Sequence, residues 1–337
     1  MSDDARVQLA HGAGGRTMTA LIADLFARHL DNDVLARGED AAVLAVPADR
    51  LAVATDGFVV QPLFFPGGDI GALAVHGTVN DLAMLGAEPL WLTAGFILEE
   101  GFPLADLDRI VVSMAAAARE AGVTVVAGDT KVVERGKGDG VFVTTTGVGA
   151  VPTGVALGVD RIRAGDAVVV SGTIGDHGVA VMSKRAGLTF ETELRSDSAA
   201  LHGLVTAMLA AVPELHALRD PTRGGVAATL NEIAHRTGLA LHLREDGLPV
   251  KAAVRGACEL LGLDPLDVAN EGKLVAFCPA ARAEALVAAM RAHPRGRDAA
   301  VLGRVEAGPP GLVELETSFG GKRVVDWRAG EPLPRIC

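Results

Sequence analysis

The first half of the chain carries carboxylate and amide side chains beside or within apolar runs. Three aspartates stand at the ends of apolar runs of the kind that form buried strands, and they are Asp40, Asp56 and Asp129. Asn80 and Asp81 lie inside the mostly apolar run 70–85. A rigid sheet can bring such side chains together, and their oxygens are the hard ligands that Mg²⁺ prefers when it is shared with substrate phosphates. The group indicates a magnesium–phosphate site, although a single aspartate of this kind is more typical of a turn or a cap.

Two glycine-rich turns lead into helix-like segments. Residues 11–15 (HGAGG) precede the apolar periodicity of 17–29, and residues 220–225 (DPTRGG) precede that of 226–236. The exposed N–H groups of a helix N-terminus attract phosphate. Neither turn has the order G-x-x-x-x-G-K-[ST] or G-x-G-x-x-G of the common nucleotide-binding loops. Each turn is therefore either a phosphate site or a simple helix entry.

A lysine and a glutamate have positions suited to proton transfer. Lys131 follows Asp129 by two residues, and Glu271 lies just before the apolar run 274–277. A cation and a base beside a phosphate can balance charge and accept a proton. Either residue could instead be a solvated surface charge, which is the usual position of Lys and Glu.

The last residue, Cys337, is the third of three cysteines. It ends the segment EPLPRIC, whose two prolines stiffen an arm that can extend roughly 3.3 Å per residue. A thiol at the tip of such an arm can visit more than one site, as a carrier does; the alternative is an incidental cysteine at a frayed end. Cys258 and Cys278 lie in apolar stretches, where we expect them to be buried.

The elements that must position these residues alternate between strand-like and helix-like. The strand-like runs are 51–55, 123–127, 141–145, 167–170 and 274–277. The helix-like runs are 17–29, 106–121 and 226–236. This mixture predicts an α/β (α+β) fold. Pro, Gly and charged residues between 151 and 166 predict a first domain of residues 1–150, a second of residues 160–325, and a flexible tail 326–337.

Composition excludes several classes of protein. The chain has 337 residues, and 31 Lys and Arg against 42 Asp and Glu give a net charge of −11, which disfavours binding to nucleic acid or an anionic membrane. Its three cysteines show neither a disulfide framework nor a zinc spacing. The apolar runs are well below the ~20 residues of a membrane span. The acidic start of the chain leads into no apolar signal segment, so we expect a cytoplasmic protein.

Eight motifs span nearly the whole chain. They are HGAGGRTM (11–18), EDAAVL (39–44), TDGFVVQPLFFPGGDIG (55–71), VNDLAMLGAEP (79–89), AGDTKVV (127–133), DPTRGGVAATLNEIA (220–234), NEGKL (270–274) and PRIC (334–337). In this order they resemble the HypE family of hydrogenase maturation factors, the carbamoyl dehydratases of nickel–iron hydrogenase assembly. The inner motifs indicate the wider superfamily of aminoimidazole ribonucleotide synthetase, selenophosphate synthetase and thiamine-monophosphate kinase, and the terminal PRIC narrows the resemblance to HypE.

The resemblance implies a two-domain aminoimidazole ribonucleotide synthetase-like fold whose N-terminal domain pairs strands with a second subunit. It implies a homodimer that binds ATP and Mg²⁺ at or near the subunit interface. The implied metal ligands are Asp40, Asp56, Asp81 and Asp129. The implied nucleotide contacts are Gly12, Gly14, Gly15, Asn80 and Thr130. Glu39 stands where the family often has aspartate, so the metal assignment there rests on Asp40.

The resemblance also implies a reaction. A carbamoyltransferase partner of the HypF type would place a carbamoyl group on Cys337, and phosphorylation of its oxygen by ATP would allow phosphate to leave as a thiocyanate forms. Glu271 would act as the base, and Lys131 would position or relay charge. The cyanide would pass to iron on a maturation complex of the HypC/HypD type.

Two alternatives to this reaction remain. One is another ATP-dependent enzyme of the superfamily, such as selenophosphate synthetase, which needs a reactive cysteine near the N-terminal glycine loop. This sequence has no cysteine before Cys258. The other alternative is a non-catalytic protein that carries a ligand on its tail thiol.

Overall fold

Strands and helices alternate through the part of the chain that the computed structural model describes, residues 5–13, 15–37, 41–187, 194–328, 333 and 335–337. The predicted site residues Gly14 and Asp40, together with Glu39, lie outside that part. The strands are β1 (Leu51–Phe58), β2 (Phe64–Phe65), β3 (Gly68–Asp69), β4 (Glu88–Glu99), β5 (Thr124–Val133), β6 (Val141–Ala150), β7 (Asp166–Val170), β8 (Ala217–Arg219), β9 (Ala240–Arg244), β10 (Val275–Pro279), β11 (Ala300–Glu306), β12 (Val313–Glu316) and β13 (Lys322–Val324).

The helices begin with a segment that contains a π-helical stretch (Ile22–Ala27) between α1 and α2. They are α1 (Arg16–Leu21), α2 (Arg28–Leu30), α3 (Ile70–Met84), α4 (Leu104–Glu120), α5 (Asp176–Arg185), α6 (His202–Ala211), α7 (Gly225–Thr237), α8 (Ala252–Leu261) and α9 (Ala283–Ala292). The predicted mixture of helices and strands is confirmed.

A four-stranded sheet in the order β1-β6-β4-β5 forms the first half of the molecule. The β4–β5 pair is parallel, and the other two pairs are antiparallel. Side chains along β1 and β6 alternate between buried and more exposed, as expected for a sheet with one face on the core. The buried face packs on α3, and the outer face leaves Val53 65% exposed and Ile97 40% exposed.

The central helix α3 is buried along almost its whole length. It contacts β1 and β6 on one side and α4 on another, and it reaches α6 in the second half of the chain. A helix enclosed in this way is apolar all round, which explains the unbroken apolar run in the sequence. Asp69 caps the helix by accepting hydrogen bonds from Gly71 N (2.8 Å) and Ala72 N (3.1 Å). The helix therefore fixes the position of Asp81, near its C-terminal end, against both halves.

The second half contains a seven-stranded sheet in the order β13-β12-β9-β11-β7-β10-β8. Strands β7 and β10 lie side by side toward one end of the sheet, with β8 as the edge strand, and almost every residue of both is buried. Burial on both faces explains why these two strands read as continuous apolar runs in the sequence. The turn before β10 carries Glu271, and the turn after β8 carries Asp220.

The predicted strand and helix runs all form, although β5 and β6 continue six and five residues beyond the predicted ends, and two aspartates differ from expectation. Asp56 and Asp129 lie inside β1 and β5 instead of at their ends, because the ladders continue through the pairs Asp56–Thr145 and Asp129–Gly95. Strand pairing uses backbone groups, so a polar side chain with solvent or a polar partner does not end a strand. The prediction that these residues mark strand ends is wrong.

One long strand, β4, has no counterpart among the predicted elements. Pro89 near its start and Gly95 in its middle interrupt the apolar alternation that would reveal it. Of the helices in the described ranges, none combines the length and the hydropathy that crossing a membrane requires.

Candidate active site

Four carboxylates from distant parts of the chain lie close enough to influence one another's pKa where its two halves meet. Asp56 lies on β1 and Asp81 on α3, while Asp220 follows β8 and Glu271 precedes β10. The pKa of Asp81 is raised to about 8, first by burial and then by the nearby charges of Asp220 and Asp56. Burial likewise raises the pKa of Asp220, with a contribution from Asp56. These four residues form the carboxylate cluster.

Glu271 is the most deeply buried member of the carboxylate cluster, with 3% of its surface exposed. Burial raises its pKa well above the ordinary range, and Asp220, Asp197 and Asp56 contribute in the same direction. Its Oε1 atom is buried and has no hydrogen-bond partner among the described residues. A buried carboxyl oxygen without a partner is costly unless a ligand or a transferred proton satisfies it, so Glu271 has the properties of a proton-transfer group.

The main chain around Glu271 is held from several directions. Its N–H donates to Asp197 Oδ1 (3.1 Å), and the preceding Asn270 donates to Pro221 O (2.9 Å) and accepts from Gly175 N (2.8 Å). Gly272 packs so closely on the Asp197 carbonyl that a β-carbon would collide with it. The turn 270–273 is therefore rigid, and it requires glycine at its third position.

Asn80 connects this turn to α3. Its Nδ2 donates to the carbonyls of Ala199 (3.0 Å) and Glu271 (3.2 Å), and its Oδ1 accepts from Leu201 N (2.8 Å). Both amide hydrogens are thus used within the chain. The structure gives Asn80 a positioning role for Glu271, and its predicted contact with nucleotide stays a prediction.

The donor set of the carboxylate cluster fits Mg²⁺. Asp56 and Asp81 are hydrogen-bonded to each other, and Thr78 Oγ1 donates to Asp56 Oδ2 (3.1 Å). Within the described ranges, no three His, Cys, Asp or Glu side chains are placed to hold a metal ion by themselves. Mg²⁺ commonly takes one or two carboxylates and completes its shell with water and substrate phosphates, so Asp56 and Asp81 suffice as protein ligands.

Replacing Asp81 by asparagine is expected to stabilise the metal-free protein and weaken binding of Mg·ATP. The pKa of Asp81 is about 8 in the folded chain, and its ordinary value is 3.8. The contribution of its protonation to the stability of the fold is therefore complete below pH 4 and is lost as pH rises through about 8. At pH 8 the variant should exceed wild type by roughly 2 kcal/mol in free energy of unfolding, with a smaller difference at pH 4. Denaturant titrations at both pH values measure this.

The same Asp81→Asn protein should bind Mg·ATP about 10- to 100-fold more weakly, as found when a metal-site residue is removed. Isothermal titration with Mg·ATP measures the loss. Asp246→Asn, on the exposed turn after β9, is the matched control and should change neither quantity. Unchanged affinity in Asp81→Asn would remove this residue from the metal site.

The predicted pair Asp129 and Lys131 lies away from the carboxylate cluster. Asp129 is on β5 and Asp56 is on β1, the two edges of the four-stranded sheet, about 14 Å apart at the usual strand spacing. Asp56 pairs with Thr145, which pairs with Ala94, and all three lie on the buried face of the sheet. Asp129 pairs with Gly95, and these two lie on its outer face. Asp129 and Lys131 form an ion pair (Nζ–Oδ2, 2.5 Å) with both side chains 62% exposed. One chain therefore does not bring all the predicted residues together.

A cavity of about 260 Å³ lies beside Asp129, between the N-terminal helical segment and strands β4 and β5. Its floor is apolar, with Met18, Phe26 and Phe96, and residues 128–130 form one edge. Thr130 itself is 5% exposed, and its N–H donates to Asp129 Oδ1 (2.8 Å). Thr130 is the predicted nucleotide contact that lines this concave, largely apolar surface.

The predicted glycine loop lies against the same strand. A β-carbon on Gly12 would lie 2.8 Å from Val132 N, so the close approach of the loop to β5 requires glycine there. Gly15 is the residue before α1, in extended conformation, and has open space around it. The open side of the loop is available to a ligand at the start of the helix.

The C-terminal residues dock against the end of β1. Val59 N donates to Cys337 O (3.1 Å), and Gln61 N donates to Arg335 O (3.1 Å). Ile336 between them is 1% exposed and belongs to the same hydrophobic cluster as Phe58, Val60 and Phe65. The predicted flexibility of the tail stays a prediction, and the docked position is what the structure shows.

Docking places the backbone of Cys337 on the chain segment that follows Asp56 of the carboxylate cluster. Val59 lies three residues after Asp56, so the backbone of Cys337 contacts the chain about 10 Å along from that carboxylate. Cys337 is half-buried, whereas Cys258 and Cys278 are fully buried as predicted, and burial raises the pKa of each of those two thiols to about 11. Cys337 is thus the least buried of the three cysteines.

Comparisons with known proteins agree with this geometry. Residues 38–151 match the N-terminal domain of AIR synthase related proteins, and residues 163–315 match their C-terminal domain. Carbamoyl dehydratase HypE of Azotobacter vinelandii is 64% identical over 331 residues, covering 98% of this chain and 97% of that protein. The chain belongs to the HypE family. Carbamoyl dehydratase HypE of Cupriavidus necator is 62% identical, covering 98% and 95%, and the predicted family is confirmed.

Solved HypE structures share the fold of this chain. Hydrogenase maturation protein HypE in complex with ATP has a TM-score of 0.94 at 50% identity and covers 98% of this chain and 99% of its own. A HypE–HypF complex has a TM-score of 0.80 at 49% identity, with coverage of 91% and 99%. Thiamine-monophosphate kinase of Stenotrophomonas maltophilia has a TM-score of 0.67 at 27% identity, with coverage of 90% and 97%. The predicted aminoimidazole ribonucleotide synthetase-like fold is confirmed.

Several residues around the HypE-family site are not among the predicted ones. Asp220 belongs to the carboxylate cluster, and Asp197 holds Glu271 N while pairing with Lys273 (2.9 Å). Asp220 stands in the motif DPTRGG, whose acidic first residue was a usable signal. Asp197 follows no recognisable pattern, and its position comes from the packing of the segment before α6.

Proposed function

We propose that this chain uses ATP to dehydrate the S-carbamoyl group on its own Cys337 to a thiocyanate, and so supplies the cyanide ligand for nickel–iron hydrogenase maturation. The observation that carries the proposal is the docking of the Cys337 backbone on Val59, three residues along the chain from Asp56 of the carboxylate cluster, which also contains the buried Glu271. The names of its relatives support it, because carbamoyl dehydratase is the activity that those names state. The structure of a HypE with ATP supports the choice of nucleotide.

The reaction needs the carbamoyl oxygen to become a leaving group. That oxygen attacks the γ-phosphorus of ATP, and the bond from this phosphorus to the β–γ bridging oxygen breaks as ADP departs. The nitrogen loses one proton, which leaves an S–C(=NH)–O–phosphate group. The C–O bond then breaks with its electron pair going to phosphate, the second N–H proton passes to an oxygen of that departing phosphate, and S–C≡N remains on Cys337.

Glu271 is the base that accepts the N–H proton in this proposal. Its raised pKa, caused first by burial, makes its carboxylate a stronger base than an ordinary one. Its unpartnered Oε1 provides the acceptor atom, and the rigid turn 270–273 fixes the direction of the side chain. Asp56 and Asp81 would hold Mg²⁺, which when bound balances charge on the ATP phosphates.

A homodimer would complete the site. Asp129 and Lys131 lie on the outer face of the four-stranded sheet, which also exposes Leu51 (43%), Val53 (65%) and Ile97 (40%). A second copy packed on that face would cover this apolar surface and bring its own Asp56 side toward the Asp129 edge. We place ATP at this interface, with the cavity beside Asp129 and the Gly12–Gly15 loop on the nucleotide side and Lys131 near the transferred phosphate.

Complementation between inactive variants is expected if the site is shared. Asp56→Asn and Asp129→Asn chains should each be inactive, and co-expression in equal amounts should restore about a quarter of wild-type turnover, since half the dimers are mixed and each has one intact site of two. As a control, chains that carry both substitutions, expressed at the same total level, should stay inactive. Lack of recovery despite verified mixed dimers would show that the site lies within one chain.

Two partner classes follow from the proposal. A HypF-like carbamoyltransferase would load Cys337, in keeping with the HypE–HypF complex of a relative. An iron-carrying complex of the HypC/HypD type would take the cyanide. We place the reaction in the cytoplasm, and no contact with nucleic acid or membrane is part of it.

The proposal is tested on chemically defined protein. Carbamoylated full-length chain, loaded with a HypF-like enzyme or with cyanate, is mixed with Mg·ATP, and the C-terminal peptide is followed by mass spectrometry. We expect the Cys337 adduct to lose the mass of one water only when ATP is present. A verified adduct that binds ATP and keeps its mass would leave the fold standing and favour a thiol carrier.

A further inference from the structure

Three backbone carbonyls at the end of the chain have partners on two different elements. The carbonyls of Arg335 and Cys337 accept from Gln61 N and Val59 N. The carbonyl of Ile336 between them points to the other side, where it accepts from His177 Nε2 at 2.9 Å. Because Ile336 is 1% exposed, its carbonyl has no access to bulk water and depends on a protein donor. His177, on α5, supplies that donor.

The His177 ring is held in one orientation and one protonation state. Nδ1 lies 2.8 Å from Ser196 Oγ, and the edge of the ring meets Phe65 at 87° with centroids 5.4 Å apart. Burial lowers the pKa of His177, so the imidazole is neutral and carries a single N–H. A carbonyl cannot donate, so the N–H is on Nε2 facing Ile336, and Nδ1 accepts from the Ser196 hydroxyl.

Asp197, the residue after Ser196, binds the main chain of Glu271, the base of the proposed reaction. Asp197 accepts from Glu271 N (3.1 Å) and from Lys273 Nζ (2.9 Å), and both charged side chains of that pair are largely buried. Its negative charge also acts on His177, where it opposes the lowering of the His177 pKa by burial. Ser196 therefore fixes His177, which binds the tail, and the next residue, Asp197, fixes the main chain of Glu271.

We propose that His177 is a positioning residue for the reaction: with Ser196 fixing its tautomer, its Nε2–H seats the Ile336 carbonyl and so sets the place of the Cys337 thiol relative to Glu271. This rests on the proposed function for its catalytic consequence. The seating itself is a property of the resting chain and can be measured without turnover. Loss of one hydrogen bond of this kind shifts the balance between seated and released tail by about 5- to 10-fold.

The chain offers a matched pair of serines for the test. Ser196→Ala removes the hydroxyl that fixes His177, and Ser198→Ala removes a hydroxyl whose partner is His76 Nδ1 (2.9 Å) on α3. His177→Gln keeps a side-chain N–H donor, and His177→Phe removes it. The alkylation rate of Cys337 in full-length protein reports release of the tail, with Cys258 and Cys278 kept unreactive by burial.

We expect Ser196→Ala and His177→Phe to raise the alkylation rate about 5- to 10-fold, His177→Gln to raise it less, and Ser198→Ala to leave it unchanged. At saturating ATP, single-turnover dehydration of the carbamoylated chains should slow in the same order, while ATP affinity stays at the wild-type value. Equal alkylation rates in wild type, Ser196→Ala and His177→Gln would overturn the seating role. Faster alkylation with unchanged dehydration would overturn its link to the reaction.

The two proposals fail in distinguishable ways. If carbamoylated wild type loses no water with ATP, the proposed function fails, while the alkylation rates still decide whether His177 seats the tail. If wild type turns over and Ser196→Ala alkylates and turns over like wild type, the function stands and the positioning role is refuted. Should His177→Phe not fold, Ser196→Ala alone decides, because it removes a single hydroxyl from a half-buried loop residue.

Discussion

Replacing Cys337 by serine is expected to abolish thiocyanate formation completely while leaving ATP binding at the wild-type affinity. The sulfur is the atom that carries the carbamoyl group, and no other residue can take its place, because burial raises the pKa of the Cys258 and Cys278 thiols to about 11. The change from sulfur to oxygen is small, and the backbone hydrogen bonds of the docked tail remain. ATP affinity by calorimetry and product by mass spectrometry are the two measurements.

A matched substitution shows whether the effect belongs to the Cys337 thiol or follows the loss of any cysteine. Cys278→Ala, on the buried strand β10, should keep thiocyanate formation and lower only stability. Simultaneous loss of ATP binding in Cys337→Ser would show that the tail is part of the nucleotide site. Retained thiocyanate formation in Cys337→Ser would contradict the account outright.

Replacing Glu271 by glutamine is expected to slow dehydration about 100- to 10,000-fold, the usual contribution of a positioned base. Glutamine keeps the shape of the side chain, and the main-chain bonds of the turn to Asp197 and Asn80 do not involve the altered group. Nucleotide affinity should therefore remain close to that of wild type. Single-turnover rates of carbamoylated protein at saturating Mg·ATP measure the effect.

The same Glu271→Gln substitution has a second, independent signature in stability. Because burial raises the pKa of Glu271, its stabilising protonation is complete below the ordinary pKa of 4.5 and is lost as pH rises toward the raised value. The variant should therefore be more stable than wild type at neutral pH, with the advantage shrinking near pH 4. Glu259→Gln, an exposed glutamate on α8, should change neither rate nor stability. Full activity in Glu271→Gln would remove it as the base.

The sequence predicts most of the local structure of the site because its signals are local. Strands β7 and β10 are buried on both faces, so they read as unbroken apolar runs. Asp56 and Asp81 are correctly predicted to be neighbours, since β1 and α3 pack directly on each other. The family motifs indicate the reaction and single out Cys337 and Glu271 as its predicted residues.

The remaining features depend on long-range packing that no local pattern carries. The outward direction of Asp129 is set by its pairing with Gly95 across an irregularity between β4 and β5, and β4 itself is not predicted. His177 is one of nine histidines without ligand spacing, and its role appears only when Ile336 docks against α5. The domain boundaries at 150 and 160, and the roles of the individual site residues, stay predictions.

The most direct test of the central claim follows the carbamoyl oxygen itself. Full-length protein is carbamoylated on Cys337 with a carbamoyl group whose oxygen carries a heavy isotope, mixed with Mg·ATP, and the released phosphate is analysed by mass spectrometry. Phosphorylation of the carbamoyl oxygen predicts one heavy oxygen in each phosphate for each thiocyanate formed. Thiocyanate accompanied by unlabelled phosphate, with the heavy oxygen in water, would contradict the account.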